Sequence, residues 1–141
     1  GSLIRTDGYY YHFGYDTYTE RSTMSVLAFF RDGRCLAYQD IPIPPESYDD
    51  FEYVEQKKLA PGGWFTKKFY GVFWLEGRVL HFEIPGYTGK YAGRQYTTYE
   101  IRAIVNRDGS ITTIEYRGQE LRPFRKSITL LFREYHGEIK W

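Results

Sequence analysis

The sequence predicts an all-β fold, an eight-stranded antiparallel up-and-down barrel with one helix inserted between the third and fourth strands. Three observations lead there. The turns Arg31-Asp32-Gly33-Arg34, Leu75-Glu76-Gly77-Arg78 and Arg107-Asp108-Gly109-Ser110 each separate two runs of alternating hydrophobic and polar residues. Asp-Gly or Glu-Gly at such a junction signals a hairpin, because glycine supplies the positive φ of a tight turn. Aromatic side chains, 15 Tyr, 10 Phe and 3 Trp, are threaded through those runs, where they suit a pleated, half-buried surface. Eight strands joined in sequence then close naturally, since closure removes exposed sheet edges.

The first strand lies within Leu3 to Tyr18, around Gly8-Tyr9-Tyr10-Tyr11-His12-Phe13, and Gly14 allows a bend in it. Thr23 to Arg31 pairs with Arg34 to Ile41, Phe69 to Leu75 with Arg78 to Ile84, and Tyr96 to Asn106 with Ser110 to Arg117. Ser127 to Tyr135 is the last strand. Pro42, Pro44 and Pro45 end the third strand, because proline cannot donate to a ladder. The helical excursion that follows covers about 46–60: Ser47 as N-cap, Asp49 and Asp50 in the first turn, Lys57 and Lys58 in the last. Tyr48, Phe51, Val54 and Leu59 form its apolar stripe, and Pro61-Gly62-Gly63 stops it.

Parity separates a dry face from a wet one. Ile101, Ala103 and Val105 oppose Glu100 and Arg102; Leu80, Phe82 and Ile84 oppose His81 and Glu83; Ile128, Leu130 and Phe132 oppose Thr129 and Arg133. The runs Val26 to Arg31 and Phe69 to Leu75 carry bulk on both faces, through Phe29, Phe30, Phe73 and Trp74. Those two strands are expected to bear the helix, or a partner, on their outer side.

Composition bounds the rest. The chain reads as a single domain over 1–141, globular at 42% hydrophobic and 26% charged residues. A net charge of +1 gives no general pull toward nucleic acid or anionic membrane. The basic group Arg117, Arg122, Arg125 and Lys126 is balanced by Glu46, Asp49, Asp50, Glu52 and Glu55, so no nucleic-acid partner is expected. No apolar stretch reaches the ~20 residues of a membrane-spanning helix, and no integral membrane span is expected. Cys35, the single cysteine, excludes an intramolecular disulfide and reads as a buried thiol. The chain opens on Gly1-Ser2, a common remnant of tag cleavage, and the expectation is an extracytoplasmic protein, secreted or lipid-anchored after signal removal.

Motifs that carry chemistry are few. His12, His81 and His136 are scattered, and His81-Phe82-Glu83 reads as a surface ion pair, since a metal site needs three or four converging ligands. There is no Gly-x-Ser-x-Gly elbow. Gly86-Tyr87-Thr88-Gly89-Lys90 lacks the following helix of a phosphate cradle, and Pro85 to Gly93 reads as a rim loop. Neither metal nor cofactor is expected.

On these features the chain resembles a lipocalin-like barrel of the calycin superfamily: sequential strands, short Asp-Gly hairpins and a Gly-aromatic opening strand. Lipocalins open with Gly-x-Trp, the Trp covered by an arginine near the final strand. Here Gly8-Tyr9-Tyr10 stands at the start, with Tyr10 in place of the Trp, and Arg133 lies in the last strand. The resemblance implies capture of a small hydrophobic molecule. It also admits a cofactor-free acid–base enzyme of the phenolic acid decarboxylase type, using Tyr9, Tyr11, Tyr38 or Tyr116 with Arg102 or Glu115.

Fifteen tyrosines exceed what a dry interior easily satisfies, because a buried hydroxyl wants a partner. The expected ligand-binding residues are therefore Tyr9, Tyr11, Tyr38, Trp74, Phe82, Tyr99, Tyr116 and Phe132. The leading expectation is a non-enzymatic protein holding a small apolar or aromatic ligand in its barrel. The alternatives are a filled barrel acting as a surface protein-interaction module of a lipoprotein, and the acid–base enzyme.

Overall fold

A computed structural model describes residues 3–46, 49–59, 68–88, 95–117, 121–123 and 127–139. The strands are β1 (Gly8–Asp16), β2 (Arg21–Phe29), β3 (Arg34–Pro42), β4 (Lys68–Glu76), β5 (Val79–Thr88), β6 (Gln95–Val105), β7 (Ile111–Arg117), β8 (Leu121–Pro123) and β9 (Thr129–Glu134). Strands β1 to β7 pair in sequence and antiparallel. β9 then bridges β7 and β1, through Ile111↔Leu130 on one edge and Tyr10↔Phe132 on the other. The result is the closed eight-stranded antiparallel barrel the sequence predicts, with the helix between β3 and β4. β8 is an addition that alternation did not reveal, three residues laid along the end of β7.

All three turn glycines adopt the required backbone: Gly33 at φ 91°, Gly77 at φ 62° and Gly109 at φ 88°. These turns gather at one end of the barrel, hereafter the turn end, together with the N-terminal segment ahead of β1. The opposite, loop end carries the short β1–β2 turn and the longer β3–β4 and β5–β6 connections.

The barrel interior is one apolar cluster fed by every strand of the ring, including Tyr10, Phe29, Cys35, Leu80, Phe82, Ala103, Val105, Ile111 and Leu130. Its rings meet edge to face: Phe29 lies 5.7 Å from Tyr10 and 4.7 Å from Phe73, a geometry that aligns ring edges with π faces. A second cluster lies outside the wall. There Met24, Val26, Ala28, Leu36, Tyr38 and Ile41 pack with Val54 and Leu59 of the helical segment. The helix is thus a flank on the outer face of β1–β3. β2 carries it as its two-sided bulk implied, whereas the outer face of β4 stays exposed, with Val72 at 48% and Tyr70 at 40%.

The helical segment departs from the expected details. Its N-cap is Asp49, whose carboxylate accepts from the Glu52 amide at 3.1 Å, and Ser47 lies outside the described residues. Helix α1 (Asp50–Val54) runs directly into a π-helical turn, Glu55–Leu59. The wider turn brings Val54 and Leu59, five residues apart, to the same buried side, where a regular helix would present Lys58. Tyr48 and Pro61-Gly62-Gly63 also lie outside the described residues.

Closure depends on a missing side chain. At Gly8, where β1 meets β9, a Cβ would collide with the Arg133 carbonyl and the Phe132 ring. Gly8→Ala is expected to cost about 1–3 kcal/mol, measured by urea unfolding. At Gly14 an added Cβ would meet only the Thr23 hydroxyl, at 3.0 Å, so Gly14→Ala is expected to cost clearly less. The interior also predicts the chemistry of Cys35, whose thiol burial pushes up to about 12. Native protein at pH 8 is expected to resist a disulfide-exchange reagent that reacts at once with the urea-unfolded chain.

Candidate functional site

β1 divides its tyrosines by parity, and β9 follows the same division. Tyr10 and Phe132, directly paired, face inward with ring centroids 5.1 Å apart. The Arg5 guanidinium lies 4.2 Å over the Phe132 ring, and the Arg5 amide donates to the Tyr10 hydroxyl at 3.1 Å. The turn end is therefore covered by an arginine, but by Arg5 and not by Arg133. The reason is register: Arg133 sits opposite Tyr9, so both point away from the barrel.

Outside, Tyr9, Glu55 and Arg133 form one polar cluster. Glu55 Oε1 accepts from Arg133 Nε at 2.8 Å and from the Tyr9 hydroxyl at 3.2 Å. The Arg133 guanidinium also stacks 4.2 Å over Phe51. Tyr9 is wholly buried and Glu55 is 9% exposed. Burial first, then the Glu55 charge, raises the Tyr9 hydroxyl above its ordinary range. Arg133 is raised as well, chiefly by its bond to Glu55. The cluster ties the helical segment to β1 and β9, and Tyr38 adds a second tie by donating to the Lys58 carbonyl at 3.3 Å. Tyr9, Tyr10 and Tyr38 thus each find a hydroxyl partner and serve as fastenings.

The eight sequence-predicted binding residues fall in four places. Tyr9 and Tyr38 lie in the outer cluster, with Tyr11 packed against it. Phe82 and Phe132 lie in or against the interior cluster. Trp74 is on the outer wall, because Phe73 and Leu75 take the inward positions. Tyr99 and Tyr116 share the inward face of β6 and β7 at the loop end, their ring centroids 6.5 Å apart. A bulge brings Tyr116 there: Arg102 pairs with Glu115 but Ala103 with Thr113, so Ile114 is the extra residue and parity resumes with Tyr116 opposite Ile101.

The loop half differs from the turn half. At the turn end, Tyr10, Leu80, Ala103 and Ile111 are 0% exposed and Val105 is 1%. Toward the loop end, Ile84, Tyr99, Ile101 and Tyr116 face inward yet are only half-buried. Ile84 and Ile101 were visible as dry-face residues, but nothing in their alternation marked them as less buried than Leu80 or Ala103.

The residues named for acid–base work do not converge. Arg102 Nη1 donates to Glu115 Oε1 at 3.0 Å on the outer wall, across the sheet from Tyr116. His81, expected to pair with Glu83, faces Glu100 at 3.2 Å and Glu76 at 3.5 Å and stacks flat against Trp74 at 5.1 Å. Despite a desolvation that opposes it, Glu100 is held below the ordinary carboxylate range by its bonds to His81 and Arg102. Of the basic group, Arg125 and Lys126 lie outside the described residues. No helix among the described residues is long and apolar enough to cross a membrane.

No family model, curated protein or solved structure matches this chain. The function is therefore argued from geometry alone.

The Tyr9–Glu55–Arg133 cluster makes two measurable demands. Tyr9→Phe is expected to cost about 1 kcal/mol, and Glu55→Ala, which strands two donors, about 2 kcal/mol. A raised tyrosine stabilises the fold fully below its unfolded value near 10, and that contribution is lost as pH rises beyond it. The urea midpoint of the parent is expected to fall from about pH 10 upward, and less steeply in Tyr9→Phe.

Proposed function

We propose that the protein binds a small apolar or aromatic molecule inside the loop half of its barrel, as a lipocalin-like binding protein without catalytic activity. The observation that carries this reading is the asymmetry along β5–β7: Leu80, Ala103, Val105 and Ile111 toward the turn end are buried, whereas Ile84, Tyr99, Ile101 and Tyr116 toward the loop end are half-buried. An eight-stranded barrel has room for side chains or for one small ligand. Here the two uses divide the barrel lengthwise. Ile84 and Ile101 supply apolar contact, and Tyr99 and Tyr116 supply ring faces with a polar edge, the mixture expected of a small-molecule pocket.

A second reading, a protein-interaction surface, draws support from one feature. Tyr70, Val72 and Trp74 line the outer face of β4 at 40%, 48% and 36% exposure, a concentration of apolar area beyond scattered surface residues.

Titration with the neutral fluorescent probe N-phenyl-1-naphthylamine separates the two. The barrel reading expects saturable binding with a Kd of roughly micromolar order, weakened about tenfold or more by Ile101→Trp or Tyr116→Ala and unchanged by Trp74→Phe. Absence of saturable binding, or indifference to both inward substitutions, would sink it.

A further inference from the structure

The outer face of β4 is flanked by charges of opposite sign. Across the sheet at its midpoint, Arg34 on β3, Val72 on β4 and Glu83 on β5 stand in one row. All three point outward, since their chain neighbours Cys35, Phe73 and Phe82 belong to the interior cluster. Tyr70 and Trp74 lie two residues to either side of Val72, on the same face. The helical segment covers the outer faces of β2 and β3, whereas these three residues of β4 stay exposed.

Glu83 is the member of the row that folding leaves uncompensated. It sits directly opposite Glu100 on β6, and like charges in that position are destabilising. Glu100 is balanced by His81 and Arg102. Among the described residues, no hydrogen bond or ion pair reaches the Glu83 carboxylate. Arg34, across Val72 from it, holds Asp32 through Nε at 2.6 Å, and a guanidinium fork carries donors enough for a second carboxylate.

The row is self-complementary. Two copies of one face meet about a two-fold axis lying in the plane between them. An axis along β4 sets Val72 on Val72 and brings Arg34 of each copy to Glu83 of the other. An axis across the strands sets Arg34 on Arg34 and Glu83 on Glu83, and like charges so placed cost affinity. The first arrangement keeps the strands of the two sheets aligned, a common way for sheets to pack face to face.

We propose that the outer face of β4 is a homodimer interface, in which Tyr70, Val72 and Trp74 of two copies pack together between two Arg34–Glu83 ion pairs. Such a dimer rests on the surface reading, for which it names the partner, and is independent of the barrel reading. With one strand of each copy at its centre, the contact belongs to the small end of specific interfaces. A dissociation constant of roughly micromolar order is expected.

The test is sedimentation velocity of the full chain over roughly micromolar to millimolar concentrations, where a monomer–dimer equilibrium is expected. Val72→Arg, Arg34→Glu and Glu83→Arg are each expected to weaken the dimer about tenfold or more. The two charge-reversal variants, mixed, are expected to pair with each other at about parental affinity, because each supplies the sign the other lacks. Should Arg34→Glu fail to fold on losing Asp32, Val72→Arg and Glu83→Arg carry the test. Monomer at every concentration overturns the inference, while leaving the surface reading to a different protein. A dimer that survives Val72→Arg or the reversals forms through another face and overturns it as well.

Discussion

The pairing of β1 with β9 is the constraint on which the rest depends. Its register, Tyr10 against Phe132 and Tyr9 against Arg133, closes the barrel and sorts two adjacent tyrosines into different environments. Inward, Tyr10 meets Phe29 and Phe132 and becomes part of the turn-end plug. Outward, Tyr9 and Arg133 meet on Glu55 and hold the helical segment to the wall. A slip of one residue would exchange every side chain between those faces. It would place a guanidinium in the core and strip the helix of its anchor. Gly8 makes this register attainable, since any larger residue there collides with β9.

Given that seam, the two halves of the interior have different work. The turn half is closed by hairpins, by the N-terminal segment and by the Arg5 guanidinium over Phe132. Most inward side chains there are buried, whereas those toward the loop end are half-buried. A filled barrel would gain more from burial, at roughly 25 cal/mol for each Å² of apolar surface removed from water. Half-buried Ile84, Ile101, Tyr99 and Tyr116 forgo part of that gain, which the proposed ligand would restore.

Much of the fold was legible because its signals are local. Gly33, Gly77 and Gly109 marked the turns, and alternation through Leu80-His81-Phe82 or Ile101-Arg102-Ala103 reported the dry face. β8 was not legible, since Leu121-Arg122-Pro123 is too short to show a period. The N-cap was misplaced because Ser47 and Asp49 offer equivalent acceptors two residues apart. The polar cluster was invisible for a different reason. Glu55 reads as one more charge on a solvated helix, and its partner Arg133 lies 78 residues away. Only the π-helical turn and the β1–β9 register bring them together. The hydroxyls of Tyr9 and Tyr38 have partners, but they bind the helix and do not line the barrel. Trp74 shows the limit of parity in a strand with bulk on both faces, where either Phe73 or Trp74 could have been the inward ring.

The sorting of Tyr9 from Tyr10 is most directly tested by nuclear Overhauser contacts in a tyrosine-labelled sample. The Tyr10 ring should contact the rings of Phe29 and Phe132, and the Tyr9 ring those of Tyr11 and Tyr135. Contacts from the Tyr9 ring to Phe29, or from the Tyr10 ring to Tyr135, would contradict the register and with it the closed barrel, the helix anchor and the proposed ligand site.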